Sequence, residues 1–84
     1  MAETEAELAV RFGNRIHAER KRRRWSQAAL AERLDVSLDY VGMLERGERV
    51  AGLQSLFAVA RALGRRPSEL VEVLEALVHG TPLA

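Results

Sequence analysis

Two short helices separated by only three residues constrain this fold more than any other feature of the sequence. The residue pattern predicts one helix over residues 27–34 and a second over residues 38–46, joined by residues 35–37. Such a short link forces the two helices to cross at a steep angle with their axes close together. The earlier helix offers Ala31, which is small enough for that approach, and Asp35 tolerates the left-handed backbone of a tight turn.

The later of these two helices has an outer face of mixed chemistry. Val41 and Leu44 are spaced to anchor it against the rest of the protein. That anchoring leaves the remaining residues facing outward: Ser37, Leu38, Asp39, Gly42, Met43 and Arg46. A protruding helix whose outer face is not simply charged is typical of a helix that enters the major groove of DNA.

Three further helices complete an all-α, five-helix prediction. A first helix over residues 5–23 has apolar residues four apart on one face: Leu8, Phe12 and Ile16. A fourth helix over residues 53–63 is expected to bury Leu56, Phe57, Ala60 and Leu63. A fifth helix begins at Pro67, which suits a first helical turn, and reaches about Val78.

Residues that start and stop helices support these bounds. Ser26 and Ser37 precede the two short helices, where their hydroxyls can accept a free backbone amide as N-caps. Gly47 and Gly64 follow the third and fourth helices, at the position where a glycine commonly ends a helix.

Length and composition limit the classes of protein that this chain can represent. Its 84 residues suffice for a single domain, and the absence of cysteine excludes disulfides and thiolate metal sites. His17 and His79 stand apart from other residues at ligand spacing, so no metal site is expected. No apolar run approaches the roughly 18 residues of a membrane span, and the acidic N-terminus is unlike a signal peptide. We expect a cytoplasmic protein with no cofactor, no membrane association and no small-molecule ligand.

Positive charge is concentrated in one zone although the net charge is only +1. Between residues 11 and 24 the single acid Glu19 faces seven basic residues: Arg11, Arg15, Arg20, Lys21, Arg22, Arg23 and Arg24. A local basic zone can dock a phosphate backbone even in a nearly neutral protein. A solvated helix face explains the same charges equally well. Five consecutive basic residues point in all directions around a helix, so some of them must face away from the DNA.

The order and spacing of these features resemble the lambda-repressor-like helix-turn-helix family, also called the Cro/CI or Xre family. The segment RFGNRIHAERKRRRWSQAALAERLDVSLDYVGMLERGER, followed by LQSLFAVARALG, carries the resemblance over residues 12–70 of a single domain of residues 1–84. The resemblance implies a five-helix DNA-binding domain with its helix-turn-helix at residues 27–46. The residues over 38–46 would then form the recognition helix, the one that lies in the major groove.

The resemblance also implies roles for individual residues. Bases are expected to be contacted by Gln27, Ser37, Leu38, Asp39 and Met43. The DNA backbone is expected to be contacted by Ser26, Tyr40, Arg46, Arg49, Arg22 and Arg23. Arg20 and Glu45 match a pair that forms a buried salt bridge between the first and third helices, and this bridge would orient the recognition helix.

The chain departs from the family pattern at three places. Arg24 and Asp35 stand where the family has glycines, and residues 50–52 replace an Asn-Pro-Ser-like run. The base-facing set is also unusual, because Leu38 offers apolar contact to a thymine methyl and Asp39 would accept a hydrogen bond from a cytosine amino group. With no Arg, Asn or Gln among the residues of the recognition helix that are expected to face bases, part of the specificity is expected to come from DNA shape.

The last helix carries more apolar residues than one buried face requires. Either it is deeply embedded, or its excess is covered by a second copy of the chain. We expect a homodimer whose interface over residues 67–78 contains Leu70, Val73, Leu74, Leu77 and Val78. A two-fold pair would set two recognition helices about 34 Å apart, which suits a near-palindromic operator.

Two functions from different classes follow from the sequence. The first is a sequence-specific transcriptional regulator that binds double-stranded DNA as a homodimer, such as a repressor or a restriction-modification controller protein. The second is a protein-interaction module, antitoxin-like or an adaptor, that keeps the fold with weak or no specific DNA binding. An enzyme is not expected, because no nucleophile–base pair, metal cluster or phosphate-cradling glycine loop is present.

Overall fold

The fold of residues 3–79, which a computed structural model describes, is built from helices alone. No strand occurs within this range, so the all-α prediction is confirmed. The helices run in the order α1 Glu3–Arg22, α2 Gln27–Leu34, α3 Leu38–Glu45, α4 Leu53–Leu63, α5 Pro67–Val71 and α6 Glu75–His79, with a 3₁₀ turn Glu72–Leu74 between the last two.

The predicted start and stop residues lie where the sequence placed them. The Oγ atoms of Ser26 and Ser37 each accept a backbone N–H at 3.0 Å, from Ala29 and Tyr40 respectively. Asp35 closes α2 in the left-handed conformation with φ 56°, and Gly64 closes α4 with φ 67°. Local chemistry therefore fixes the ends of both short helices before any packing is considered.

The turn after α1 shows the consequence of one departure from the family pattern. Arg24, which stands where a glycine is usual, has a left-handed backbone with φ 59°. This conformation costs a non-glycine residue of order 1 kcal/mol, so the rest of the structure must hold it in place. The backbone N–H of Trp25 donates to the Arg20 carbonyl at 3.2 Å and closes the turn.

One core joins α1 through α5. Its buried apolar side chains come from every one of these helices: Phe12, Ile16, Leu30, Ala31, Val41, Leu44, Val59, Ala60, Leu63 and Leu70. Of the inward positions predicted for α1, α2 and α3, Phe12, Ile16, Ala31, Val41 and Leu44 are buried, whereas Leu8 is half-buried.

The prediction that Phe57 is buried is wrong. Its side chain is 50% exposed, while Val59, which was not among the predicted core residues of α4, is 1% exposed. The reason is helical geometry: successive residues are about 100° apart, so Phe57 lies a full step around the axis from Leu56. The inward face is defined by Val59, Ala60 and Leu63 instead.

A glycine that the sequence analysis did not single out sets the distance between α1 and α3. A Cβ atom on Gly13 would overlap the backbone carbonyl oxygens of Leu44 and Glu45. Because helix backbone cannot move aside as a flexible side chain can, only glycine allows this approach. The close crossing brings the end of α3 within reach of polar side chains on α1.

The predicted fifth helix is interrupted. Residues 67–79 form α5, the 3₁₀ turn and α6 rather than one continuous helix. Leu70 of α5 is fully buried in the core of the single chain, so its predicted place in a dimer interface is wrong. Val73, Leu74 and Leu77 are half-buried, and the side chain of Val78 lies outside the described part of the structure.

A buried carboxylate ties the end of α1 to the turn between α4 and α5. The side chain of Glu19 is fully buried and accepts hydrogen bonds from Arg15 at 3.0 Å, Arg23 at 2.7 Å and Arg65 at 3.2 Å. Arg23 also donates to the carbonyls of Glu19 and Leu63. These bonds engage the guanidinium of Arg23 within the fold, although its side chain keeps 22% of its surface exposed. Its contact with the DNA backbone stays a prediction.

These arginines control the ionisation of Glu19. Burial raises the pKa of the carboxyl, but hydrogen bonds from Arg23, Arg65 and Arg15 outweigh it and lower the pKa to about 2. Since this pKa lies below the ordinary value of 4.5, the carboxylate stabilises the fold fully above about pH 4.5. That contribution is lost as the pH falls toward 2.

Replacing Glu19 by Gln should therefore lower the free energy of unfolding by about 3 kcal/mol at pH 7, because several cations lose their shared counter-charge. The variant should also lose much of the pH dependence of stability that the parent shows below pH 4.5. Urea unfolding at a series of pH values measures both effects. Glu32→Gln, at an exposed position of α2, is the matched control and should behave like the parent. Equal acid sensitivity in Glu19→Gln and the parent would contradict this account.

Candidate nucleic-acid interface

The outer face of α3 and the start of α2 form one surface. Ser37, Leu38 and Asp39 are exposed, and Leu38 keeps 53% of its accessible surface. Met43 and Gln27 are half-buried beside them. All five side chains that the sequence predicted to contact bases are thus at or near the surface of these two helices, and their base contacts stay a prediction.

Glu45, the last residue of α3, joins three segments behind this surface. Its carboxylate accepts hydrogen bonds from Arg20 Nε at 2.7 Å and Arg20 Nη2 at 3.0 Å. The same carboxylate is 2.9 Å from His17 Nδ1 and accepts from Gln27 Nε2 at 3.1 Å. The ion pair expected between Arg20 and Glu45 is present, and both residues are buried.

The charge of Glu45 is stabilised by its partners. Burial raises the pKa of this carboxyl, but hydrogen bonds from Arg20, His17 and Gln27 outweigh that effect and lower the pKa. A charged carboxylate is a stronger acceptor than a neutral one, so the network draws α1, α2 and α3 together at one point. It also fixes the amide of Gln27 at the start of α2.

Arg20 holds the turn after α1 as well as α3. Its Nη1 donates to the Trp25 carbonyl at 2.7 Å. The guanidinium carbon of Arg33 lies over the Trp25 ring, 3.9 Å from the ring centroid, and that of Arg23 lies 5.8 Å from the same centroid. Trp25 is therefore a residue of the junction between α1 and α2, and Arg20 helps to hold the strained turn at Arg24.

His17 belongs to this network although the sequence analysis treated it as isolated. Besides its contact with Glu45, its Nδ1 lies 3.2 Å from Arg20 Nη2. The spacing of three residues between His17 and Arg20 puts both on one helix face, which is the signal that could have found it. Glu19 and Gly13 were missed for a different reason, because only the packing of distant helices reveals their roles.

The side chains predicted to contact the DNA backbone differ in their surroundings. Arg22, Arg49 and Ser26 are exposed, with Ser26 occupied as the cap of α2. Tyr40 is half-buried; its hydroxyl lies 2.9 Å from Ser55 Oγ, and the Arg49 guanidinium lies 5.7 Å from its ring centroid. Contacts with the backbone stay a prediction for these residues.

Two short capped helices, a buried brace behind them and an exposed outer face together define a helix-turn-helix DNA-binding domain. The family described as "Helix-turn-helix" matches residues 16–70 of the chain. The chain therefore belongs to the helix-turn-helix family of the lambda-repressor-like, Cro/CI or Xre type.

The proteins similar to this chain include a phage repressor and a controller protein. An immunity repressor protein of Bacillus phage phi105 is 42% identical over 59 residues, which cover 70% of this chain and 41% of the repressor. The chain thus spans about two fifths of the length of that relative. The crystal structure of the restriction-modification controller protein C.AhdI from Aeromonas hydrophila matches with a TM-score of 0.71 and 37% identity, covering 74% of this chain and 94% of that one.

These similarities establish the class of the protein. The family to which the chain belongs is one of DNA-binding regulators rather than of enzymes, and the two relatives are a repressor and a controller protein. Within residues 3–79, no helix is both long and apolar enough to cross a membrane.

A double replacement tests whether the Arg20–Glu45 pair orients α3. Glu45→Gln alone should lower the free energy of unfolding by about 3 kcal/mol, because it leaves the buried Arg20 without its counter-charge. Replacing Arg20 and Glu45 together by Met should restore much of that stability, since apolar side chains of similar volume need no charge partner. The double variant should nevertheless bind DNA more weakly than the parent, because Gln27 and α3 lose their common anchor.

Urea unfolding and DNA titration on the same samples separate the two effects. Parental DNA affinity in the stable double variant would contradict an orienting role for the pair.

Proposed function

We propose that the protein is a sequence-specific transcriptional regulator that acts as a homodimer on a near-palindromic operator. The observation that carries this proposal is the network at Glu45, which fixes Gln27 and α3 on one face while leaving the outer side of α3 open. In this account α3 lies in the major groove and the protein acts on chromosomal or phage DNA in the cytoplasm. The similarity to a phage immunity repressor and to a restriction-modification controller supports control of a promoter.

The chemistry of the exposed face suggests how bases are contacted. Leu38 offers an apolar contact to a thymine methyl group, and Asp39 offers an acceptor to a cytosine amino group. Gln27 keeps its amide oxygen and one N–H after donating to Glu45, so it can contact a base edge or a phosphate. Arg22 and Arg49 are exposed cations suited to the phosphate backbone.

An apolar surface on α4 and the loop before it supports a second copy as partner. Leu53, Phe57 and Val50 are 69%, 50% and 55% exposed, which is unusual for large apolar side chains in so small a domain. Val50 also lines an apolar groove of about 150 Å³, together with Leu8, Phe12, Leu56, Val71 and Leu74. The proposed dimer interface combines this surface with the half-buried Val73 and Leu77. It no longer includes Leu70.

The DNA-binding part of the proposal predicts a steep dependence of affinity on salt. Titrations should use a duplex recovered by selection from a random pool, with a scrambled duplex for comparison. Gln27→Ala should weaken specific binding by about 1–3 kcal/mol and leave the scrambled duplex largely unaffected. Arg22→Ala should weaken both and reduce the slope of log K against log salt by about 1. A flat salt dependence together with equal affinity for both duplexes would contradict the proposal.

The dimer part predicts concentration-dependent association through α4. Sedimentation equilibrium should give a dimer for the parent and a monomer for Phe57→Asp, because a carboxylate would be buried at the apolar contact. Val36→Asp is the matched control, since Val36 is 38% exposed in the link between α2 and α3. A parent that stays monomeric, or a Phe57→Asp variant that remains dimeric, would overturn this interface.

A further inference from the structure

Arg46 lies along the outer face of α3 instead of extending away from it. Its Nη1 atom is 2.9 Å from the position that a Cβ atom on Gly42 would occupy, and the three heavy atoms nearest to that position all belong to Arg46. This explains why Gly42, which the sequence placed on the outward face, is buried. Arg46 itself keeps 59% of its side-chain surface exposed, so its guanidinium covers Gly42 and still faces outward.

Glu48 holds the guanidinium in this position through two hydrogen bonds. Arg46 Nε donates to one carboxylate oxygen at 2.7 Å, and Nη2 donates to the other at 3.2 Å. These bonds use the Nε–H and one N–H of Nη2. Both N–H groups of Nη1 and the second one of Nη2 are left for other acceptors, and one N–H from each of these two atoms makes the end-on edge of the guanidinium.

That end-on edge has the geometry of a base reader. Two parallel N–H groups match O6 and N7 of guanine in the major groove, which is the commonest specific contact between a side chain and DNA. A planar guanidinium held by a bidentate carboxylate loses little further freedom when it makes this contact.

The charges around Arg46 disfavour a phosphate as its ligand. The carboxylate of Glu48 raises the pKa of Arg46 and compensates its positive charge, and the negative charge of Asp39 contributes to the same shift. A phosphate brought to this edge would therefore approach two carboxylates. A guanine edge carries neutral acceptors and avoids that repulsion.

We propose that Arg46, the residue that follows α3, reads a guanine in each half-site, with Glu48 as its positioning residue and Gly42 leaving the space in which it lies. This inference rests on the proposed function, because it requires α3 to be in the major groove. It assigns a base to a recognition helix whose other outward side chains specify none strongly, and it replaces the contact with the DNA backbone that the family resemblance implies for Arg46.

The test uses 7-deazaguanine, which lacks the N7 acceptor but still pairs with cytosine. Each guanine of the selected duplex is replaced in turn, and the affinity of the parent protein is measured by fluorescence anisotropy at fixed salt. One guanine in each half-site should be sensitive, with a loss of roughly two- to tenfold, because one of the two hydrogen bonds of a bidentate pair is removed. In Arg46→Ala the same replacement should have no further effect.

Two variants test the positioning role without removing Arg46. Gly42→Ala should displace the guanidinium, because the new Cβ atom would lie 2.9 Å from Nη1. Glu48→Gln should tighten binding to scrambled DNA, because a negative charge is removed, yet reduce the penalty for the 7-deaza duplex. A purely structural role for Glu48 would leave that penalty unchanged. Arg61→Ala, at an exposed position of α4, controls for loss of a positive charge and should keep the parental penalty.

The outcomes separate this inference from the proposed function. In one outcome the parent prefers the selected duplex, but Arg46→Ala weakens binding to selected and scrambled DNA equally and lowers the slope of log K against log salt by about 1. Arg46 then contacts phosphate, so the inference is overturned while the proposed function stands. If no 7-deazaguanine replacement lowers the affinity of the parent, the inference is overturned in the same way. If the parent does not discriminate between the duplexes at all, the proposed function fails, and the inference fails with it.

Discussion

The carboxylate of Glu45 is the group on which the DNA-facing part of this structure depends. It lies at the end of α3 and is held by Arg20 and His17 of α1 and by Gln27 of α2, so three helices share one acceptor. Gly13 makes this possible, because only its lack of a side chain lets α1 approach the backbone at the end of α3. Burying this ion pair contributes little net stability. Its consequence is orientation, since it fixes the start of α2 and the direction of α3 together.

Two buried carboxylates divide the basic zone of α1 between different tasks. Glu45 engages Arg20, whereas Glu19 engages Arg15, Arg23 and Arg65 on the other side of the helix. Much of the positive charge that first suggested a nucleic-acid partner is therefore neutralised within the fold. The case for DNA binding comes instead from the geometry of α2 and α3 and from the family to which the chain belongs.

Local signals in the sequence were sufficient to predict the helix-turn-helix. They did not reveal how helices that are distant in the sequence pack against one another. The N-caps Ser26 and Ser37 and the left-handed Asp35 act through their own neighbours, so their positions followed from residue type and spacing. The burial of Leu70, the exposure of Phe57 and the ion cluster at Glu19 depend on which helix faces each side chain. The break between α5 and α6 contains no proline or glycine, so no local signal in the sequence indicated it.

The central claim is that DNA is contacted by the start of α2 and the outer face of α3. Nuclear magnetic resonance of the ¹⁵N-labelled protein, titrated with the selected duplex, tests it most directly. The account predicts that the largest changes occur at the Gln27 side-chain amide and over residues 37–46, with small changes at Arg61 on α4. Changes confined to Leu53 and Phe57, with none over residues 37–46, would contradict it and would indicate that the exposed apolar side of α4 is the main binding surface.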